Sequence, residues 1–310
     1  MDNITKLLNE KHSIENKLAT LLYGSVQIRE DGLKKYIYVH YRDSGILRSK
    51  YAGEYSSELH NLIIENTSLA KDLKKRIKEI NKQLNAIGYV DNENPDLSEN
   101  VKINISIARR NLVDSIYKQS VLEGIATTYS DTETLINEGF VKNMKTDDVQ
   151  KILNLKHAWE FILDVDTILY PTNYALLCQI NELVETNLSP LPGRLRATPV
   201  SIGGSTYIPP IPIESFVKER LDDLLHENID IDTGIELVLY IMKSQAFLDG
   251  NKRTAIIFAN HFLIRNGLGL IVIPAELVDD YKKLLVNYYE DKDLISIKHF
   301  LKEKCWVKIK

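Results

Sequence analysis

The densest chemistry in the chain lies in Gln245-Ala246-Phe247-Leu248-Asp249-Gly250-Asn251-Lys252-Arg253-Thr254. Gly250 permits a tight turn and a close backbone approach. A helix that starts just after it presents free N–H groups and a partial positive charge, which suits phosphate. Arg253 adds a planar fork for phosphate oxygens. Asp249 offers a hard carboxylate for Mg2+ beside them. Asn251 can fix the loop, and Phe247 can anchor it in a core. The same residues also describe a helix-capping turn with a surface ion pair. On local evidence both readings stand.

Such a loop needs a helix on either side and something to close over it. Apolar spacing predicts helices over about 213–226, 233–245 and from Arg253 to Asn266, the last capped by Gly267. Upstream, LSPLPGRLRATPVSIGGSTYIPPIP sets Gly203-Gly204 between β-prone flanks. It predicts one β-hairpin bounded by prolines, a flap on a helical body. Thr132–Gly139, Asp147–Leu169 and Thr172–Asn187 read as successive helices, and two more end the chain. Residues 88–100 read as a polar linker with a helix start at Asp96 or Ser98. The first 95 residues differ. Met1–Leu22 and Ser57–Leu84 read as helices, with three short strands at about 25–30, 34–42 and 46–51 between them. No Gly or Pro interrupts the second helix, which suggests an antiparallel coiled-coil arm.

The loop resembles the signature of the Fic (Fido) family, His-Pro-Phe-x-Asp/Glu-Gly-Asn-x-Arg, through Phe247, Asp249, Gly250, Asn251 and Arg253. Gly193–Arg196, Pro199–Gly204 and Tyr207–Pro210 resemble the family's flap. Ser120–Ile125 resembles the inhibitory helix before many Fic cores. The resemblance covers about residues 100–305. It implies transfer of AMP from ATP, with Mg2+, to a hydroxyl of a target protein. It assigns Asp249 to the metal, and Gly250, Asn251, Lys252 and Arg253 to the phosphates. Val200, Ile202, Gly203, Gly204 and Tyr207 would dock the target as an added strand, and Glu123-Gly124 would sit in the inhibitory position.

Three positions depart from the pattern. Gln245 stands where the family has its general-base His, and an amide takes no proton near neutral pH. Ile256 replaces the second Arg that grips the terminal phosphate in many AMP transferases, and Asn251–Ala255 resembles the kinase-like Doc branch instead. Gln119 replaces the Ser/Thr before the inhibitory Glu, and Ile256 leaves Glu123 without its usual partner. His261 reads as a core residue. Two functions follow. One is a nucleotidyltransferase-like protein that binds ATP and Mg2+ and transfers AMP or phosphate, with its base lost. The other is a catalytically inactive Fic-fold binding or regulatory protein.

The rest of the chain narrows the choice. At 310 residues and a formal charge of −4, it is no globally basic nucleic-acid binder. Only Cys178 and Cys305 occur, which excludes a disulfide scaffold and a cysteine zinc site. No apolar run of about 18 residues exists, so no membrane span is expected, and the cytoplasm is the expected location. In the inserted strands Arg29, Lys34, Lys35, Arg42, Arg48 and Lys50 interleave with Tyr36, Tyr38, Tyr41 and Tyr51, a pattern open to nucleic acid or to protein docking. The run Lys71–Lys78 reads as the wet face of the arm, whose apolar side could meet a partner or a second copy of the chain. The expected fold class is all-α: a Fic core with a β-hairpin flap over 96–310, preceded over 1–95 by a helical hairpin carrying a small β-sheet.

Overall fold

The computed structural model describes residues 2–32, 34–43, 46–86, 97–142 and 144–308. The chain divides into two compact units, Met1–Ile87 and Gly88–Lys310. Most of the expected linker, residues 88–96, lies outside the described residues.

In the first unit, α1 (Asp2–Thr20) and α2 (Ser57–Ala86) flank three antiparallel strands in sequential order, β1 (Ser25–Asp31), β2 (Lys34–Asp43) and β3 (Ile46–Glu54). Side chains alternate along β2. Ile37 and Val39 point inward, packing with Ile63 and Leu59 of α2 and with Leu22 and Val26. Tyr38 lies on the other face, with Arg29 4.6 Å above its ring. The two helices run antiparallel: Asn66 donates to the Leu22 carbonyl at 3.2 Å, and Arg76 grips Glu10 at 2.7 and 2.9 Å.

The second unit is helical: α3 (Glu99–Arg110), α4 (Leu112–Leu122), α5 (Tyr129–Glu138), α6 (Thr146–Ile162), α7 (Val165–Leu169), α8 (Tyr174–Glu185), α9 (Glu214–Glu227), α10 (Ile231–Ser244), α11 (Asn251–Arg265), α12 (Val278–Tyr289) and α13 (Ser296–Phe300). Two short strands, β4 (Leu270–Ile271) and β5 (Trp306–Val307), pair near its C-terminal end. The helix expected over 147–169 breaks in two because Asp164 caps α7, accepting from Asp166 N at 3.0 Å. The centre is α11, where every residue except Lys252 and Arg265 is buried. A helix apolar all round must be enclosed. Gly234 of α10 permits its closest neighbour, since a Cβ there would meet Leu263 Cδ2 at 2.7 Å. His261 is a core residue: Nε2 donates to Thr167 O and Nδ1 accepts from the Thr172 hydroxyl, both at 2.9 Å. Burial lowers its pKa to about 4, which leaves it neutral.

The flap differs from the expected hairpin. A turn does form at Gly203-Gly204, with Ser205 N donating to Ile202 O at 3.1 Å, but its flanks make no strand pair. Pro199 and Pro209 bound the flanks and keep them short, since neither has the N–H that a ladder requires. Side chains hold the segment instead. Glu290 accepts from Thr206 N at 2.7 Å and from the Ser205 and Thr206 hydroxyls. Lys292 and these donors depress the Glu290 pKa well below the carboxylate range. No described helix is long and apolar enough to cross a membrane.

Candidate functional site

The loop between α10 and α11 is fixed from both ends. Gln245 caps α10 in the left-handed region at φ 44°, a conformation that costs a non-glycine residue about 1–3 kcal/mol. Arg196 compensates. Its Nε donates to Gln245 O at 2.5 Å, its backbone N donates to Ala246 O at 3.1 Å, and its Nη2 reaches Pro210 O at 2.6 Å. Next, Leu195 and Phe247 form an antiparallel bridge, and Phe247 is buried as expected. Asn251 latches the loop: Phe247 N donates to its Oδ1 at 2.9 Å, and its Nδ2 donates to Phe247 O at 2.8 Å.

Both ends of the Gln245 amide are engaged. Its Nε2 donates to Met242 O at 2.6 Å, and its Oε1 accepts from Asn251 Nδ2 at 3.2 Å. Gln245 therefore belongs to the loop's own hydrogen-bond set.

Arg253 is enclosed, with 1% of its side chain exposed. Glu185, from the last turn of α8, lies 2.9 Å from Arg253 Nη2 and is equally buried. Glu123, the C-cap of α4, lies 3.5 Å from Arg253 Nε and 3.5 Å from Lys252 Nζ. Asp249 stands 3.7 Å from Arg253 Nη2, while its other role is to accept from Gly250 N at 2.7 Å. Three carboxylates thus surround two cations. Both Glu185 oxygens, Glu123 Oε1 and Arg253 Nε are buried without a hydrogen-bond partner, so the contact is coulombic rather than aligned. Burial raises the Glu185 pKa to about 7 despite Arg253, with Asp249 and Glu123 adding to the rise. Gly250, at φ 73°, is packed on this cluster: a Cβ there would meet Glu185 Oε1 at 2.5 Å.

Some residues of the site escape the sequence reading. Glu185 is one, although it falls on the apolar face of α8 with Leu177, Asn181 and Val184, and a charge at that spacing is a signal. Asn181 is another. It donates to Asp249 O and Thr254 Oγ1 and accepts from Gly193 N, which ties the loop to the flap's root. Gln119 links α4 to α11, its Nε2 donating to Arg253 O at 2.9 Å while Trp159 Nε1 donates to its Oε1 at 3.0 Å. Glu123 does find a cation, but on Arg253 and Lys252, because position 256 is an isoleucine buried in the core.

A cleft of about 490 Å3 opens above the loop. It is lined by Ser201, Ile202, Gly203 and Gly204 of the flap, by Gln245 and Lys252, and by Lys282, Lys283 and Tyr289 of α12. Tyr207 faces another cleft, with Lys243 5.2 Å above its ring. Val200 is half-buried.

Residues 171–263 match the family described as Fic/DOC. The chain carries a Fic domain. Its fold is similar to that of Fic-1 (residues 134–508) from C. elegans, at 19% identity and TM-score 0.51 over 79% of each chain. It is also similar to a Fic domain containing signaling protein from Bacteroides thetaiotaomicron VPI-5482, at 22% identity and TM-score 0.50, covering 66% of this chain and 80% of that one. A Fic family protein from Desulfovibrio desulfuricans G20 shares 15% identity at TM-score 0.51, covering 66% and 71%. No curated protein matches the chain.

The nucleotide phosphates implied by the resemblance fit this Fic domain poorly, and with them the Mg2+ they would help to hold. The Arg253 fork is turned to Glu185 and Glu123, so a phosphate reaching it would meet buried carboxylates, and desolvated like charges repel strongly. Asp249 is 69% exposed on the loop, a single carboxylate of the kind that would hold Mg2+ only together with phosphate oxygens.

Proposed function

We propose that this Fic domain is a binding or regulatory scaffold and not a base-dependent transferase. The observation that carries the reading is the closed loop. Gln245 is bonded at both ends of its amide, and the Arg253 beneath it is enclosed by Glu185 and Glu123. Loss of a general base alone lowers rate by about 10²–10⁴-fold. Loss of the phosphate fork removes positioning as well. What remains open is the cleft under the flap, with no strand paired to residues 200–202 before the Gly203-Gly204 turn and lysines along α12. An extended segment of a partner protein suits that surface, since main-chain hydrogen bonds need no particular sequence.

Two measurements test the reading. Calorimetry of the wild-type chain with ATP and Mg2+ should give no binding heat. Transfer of labelled nucleotide to lysate proteins should be absent in wild type and remain absent in Gln245→His, because the new imidazole restores the base but not the fork. Binding heat together with transfer by the wild-type chain would overturn the proposal in favour of an AMP- or phosphate-transferring enzyme.

A further inference from the structure

The first unit holds a second concave surface, of a different character. A groove of about 820 Å3 runs along α2, lined by Thr67, Ala70, Lys71, Lys74, Lys75 and Lys78, with Tyr23 and Tyr41 opposite and Asp72 as its one acid. The four lysines recur at i, i+3, i+4 and i+7, which is one face of a helix. None of them forms an ion pair with a carboxylate among the described residues. Lys74 lies 4.7 Å over the Tyr23 ring. Tyr41 is on the strand face that looks toward α2, in line with Ile37 and Val39, and is 37% exposed.

In the sheet that suggests nucleic-acid binding by sequence, by contrast, two of the described cations are neutralised by carboxylates. Lys34 pairs with Glu54 at 3.3 Å and Lys35 with Glu30 at 2.6 Å, and Arg29 stacks on Tyr38. The side chains of Arg42 and Arg48 lie outside the described residues. Charge is also unevenly divided along the chain. Residues 1–87 contain 15 lysines and arginines against 11 aspartates and glutamates, although the whole chain stands at −4.

We propose that the groove along α2 binds single-stranded nucleic acid. Lysines without acidic partners attract a polyanion, and the row of four gives it a track along the helix. Tyr41, exposed on the groove wall, supplies what a simple anion does not need, a flat ring against which an unpaired base can stack, while Tyr23 holds Lys74 over its own ring. The concave shape favours a strand over a flat lipid surface, and the aromatic wall favours bases over an acidic peptide.

The test uses the full chain and a fluorescent, mixed-sequence DNA strand of ~20 nucleotides, followed by anisotropy from about 50 to 300 mM salt. Four lysine–phosphate contacts predict a slope of log K against log salt near about −2.8, at ~0.7 per contact on single strands. The double variant Lys71→Glu/Lys75→Glu should weaken binding at least about tenfold and flatten the slope by about 1.4. Tyr41→Ala should weaken the oligonucleotide and leave heparin unchanged. Lys142→Glu, an exposed site in the other unit, should leave both unchanged. An unchanged far-UV spectrum and unfolding midpoint confirm that the variants fold. The proposal is overturned by no salt-dependent binding at low salt, or by no effect of the double variant. It is equally overturned if heparin, polyglutamate, anionic vesicles or duplex DNA bind as tightly with no dependence on Tyr41.

Discussion

Two groups of cations in this chain look alike on paper and behave oppositely in space. Lys252 and Arg253 open a helix after a glycine, the usual place to hold phosphate, yet Glu123, Glu185 and Asp249 gather around them. Lys71, Lys74, Lys75 and Lys78 lie mid-helix in an unremarkable charged run, yet no described carboxylate pairs with them and two tyrosines face them across a groove. Whether a cation is free to bind a ligand depends on which anions the fold brings within about 4 Å, where attraction is strong once water is excluded. Motif spelling does not settle that.

The largest expected break in this comparison comes from removing one cation from each group. Arg253→Ala leaves Glu185 buried without its counter-charge and Glu123 with Lys252 alone, and should destabilise the protein by about 3–5 kcal/mol in urea unfolding. Lys75→Ala at the groove should stay within about 0.5 kcal/mol. Similar costs at the two sites would show that Arg253 is solvated and the core site is open.

A smaller effect sharpens the closed half of the comparison. Gly250→Ala adds a Cβ at 2.5 Å from Glu185 Oε1 on a backbone at φ 73°. It should cost about 1–3 kcal/mol. Combined with Glu185→Ala, the total should fall short of the sum of the single changes, because the clash disappears with the carboxylate. Strict additivity would mean that Glu185 does not back the loop.

The smallest effect is a pH dependence. The folded pKa of Glu185 is raised to about 7, so the folded state holds its proton more tightly than the unfolded chain does. Its contribution is fully present below the ordinary carboxylate range and is lost as pH rises from there to about 7. The slope from one such group is at most about 1.4 kcal/mol per pH unit. Glu290 acts with the opposite sign, since its depressed pKa makes its contribution fade as pH falls below the carboxylate range. Stability of wild type minus Glu185→Gln, followed from about pH 5 to 7, isolates the first term and should decline. A flat difference would place Glu185 in water.

Much of the scaffold was legible. The helix pair and three strands of residues 1–87 follow from apolar spacing and turn residues, and the strand starts agree with those expected. The helices around the loop, the burial of Phe247 and the latch of Asn251 were legible for the same reason: each depends on residues a few positions apart. The flap was half legible. Its glycine turn is local and forms, whereas the Thr206 N–H that a strand partner would use donates to Glu290, a residue remote in sequence. The lysine run on α2 was visible as a charged face, but its groove exists only because Tyr23 and Tyr41 arrive from elsewhere in the unit.

By itself, the sequence determined the kind of loop that joins α10 to α11, the amide at Gln245 and the apolar character that makes α11 central. Short-range forces settle such features: backbone preference, side-chain period and the proton affinity of an amide. Only the tertiary structure decided that Arg253 is enclosed while Lys71 and its neighbours are not. Coulomb energy depends on distance through space, and the chain brings Glu123 and Glu185 beside Arg253 from α4 and α8, helices remote in sequence.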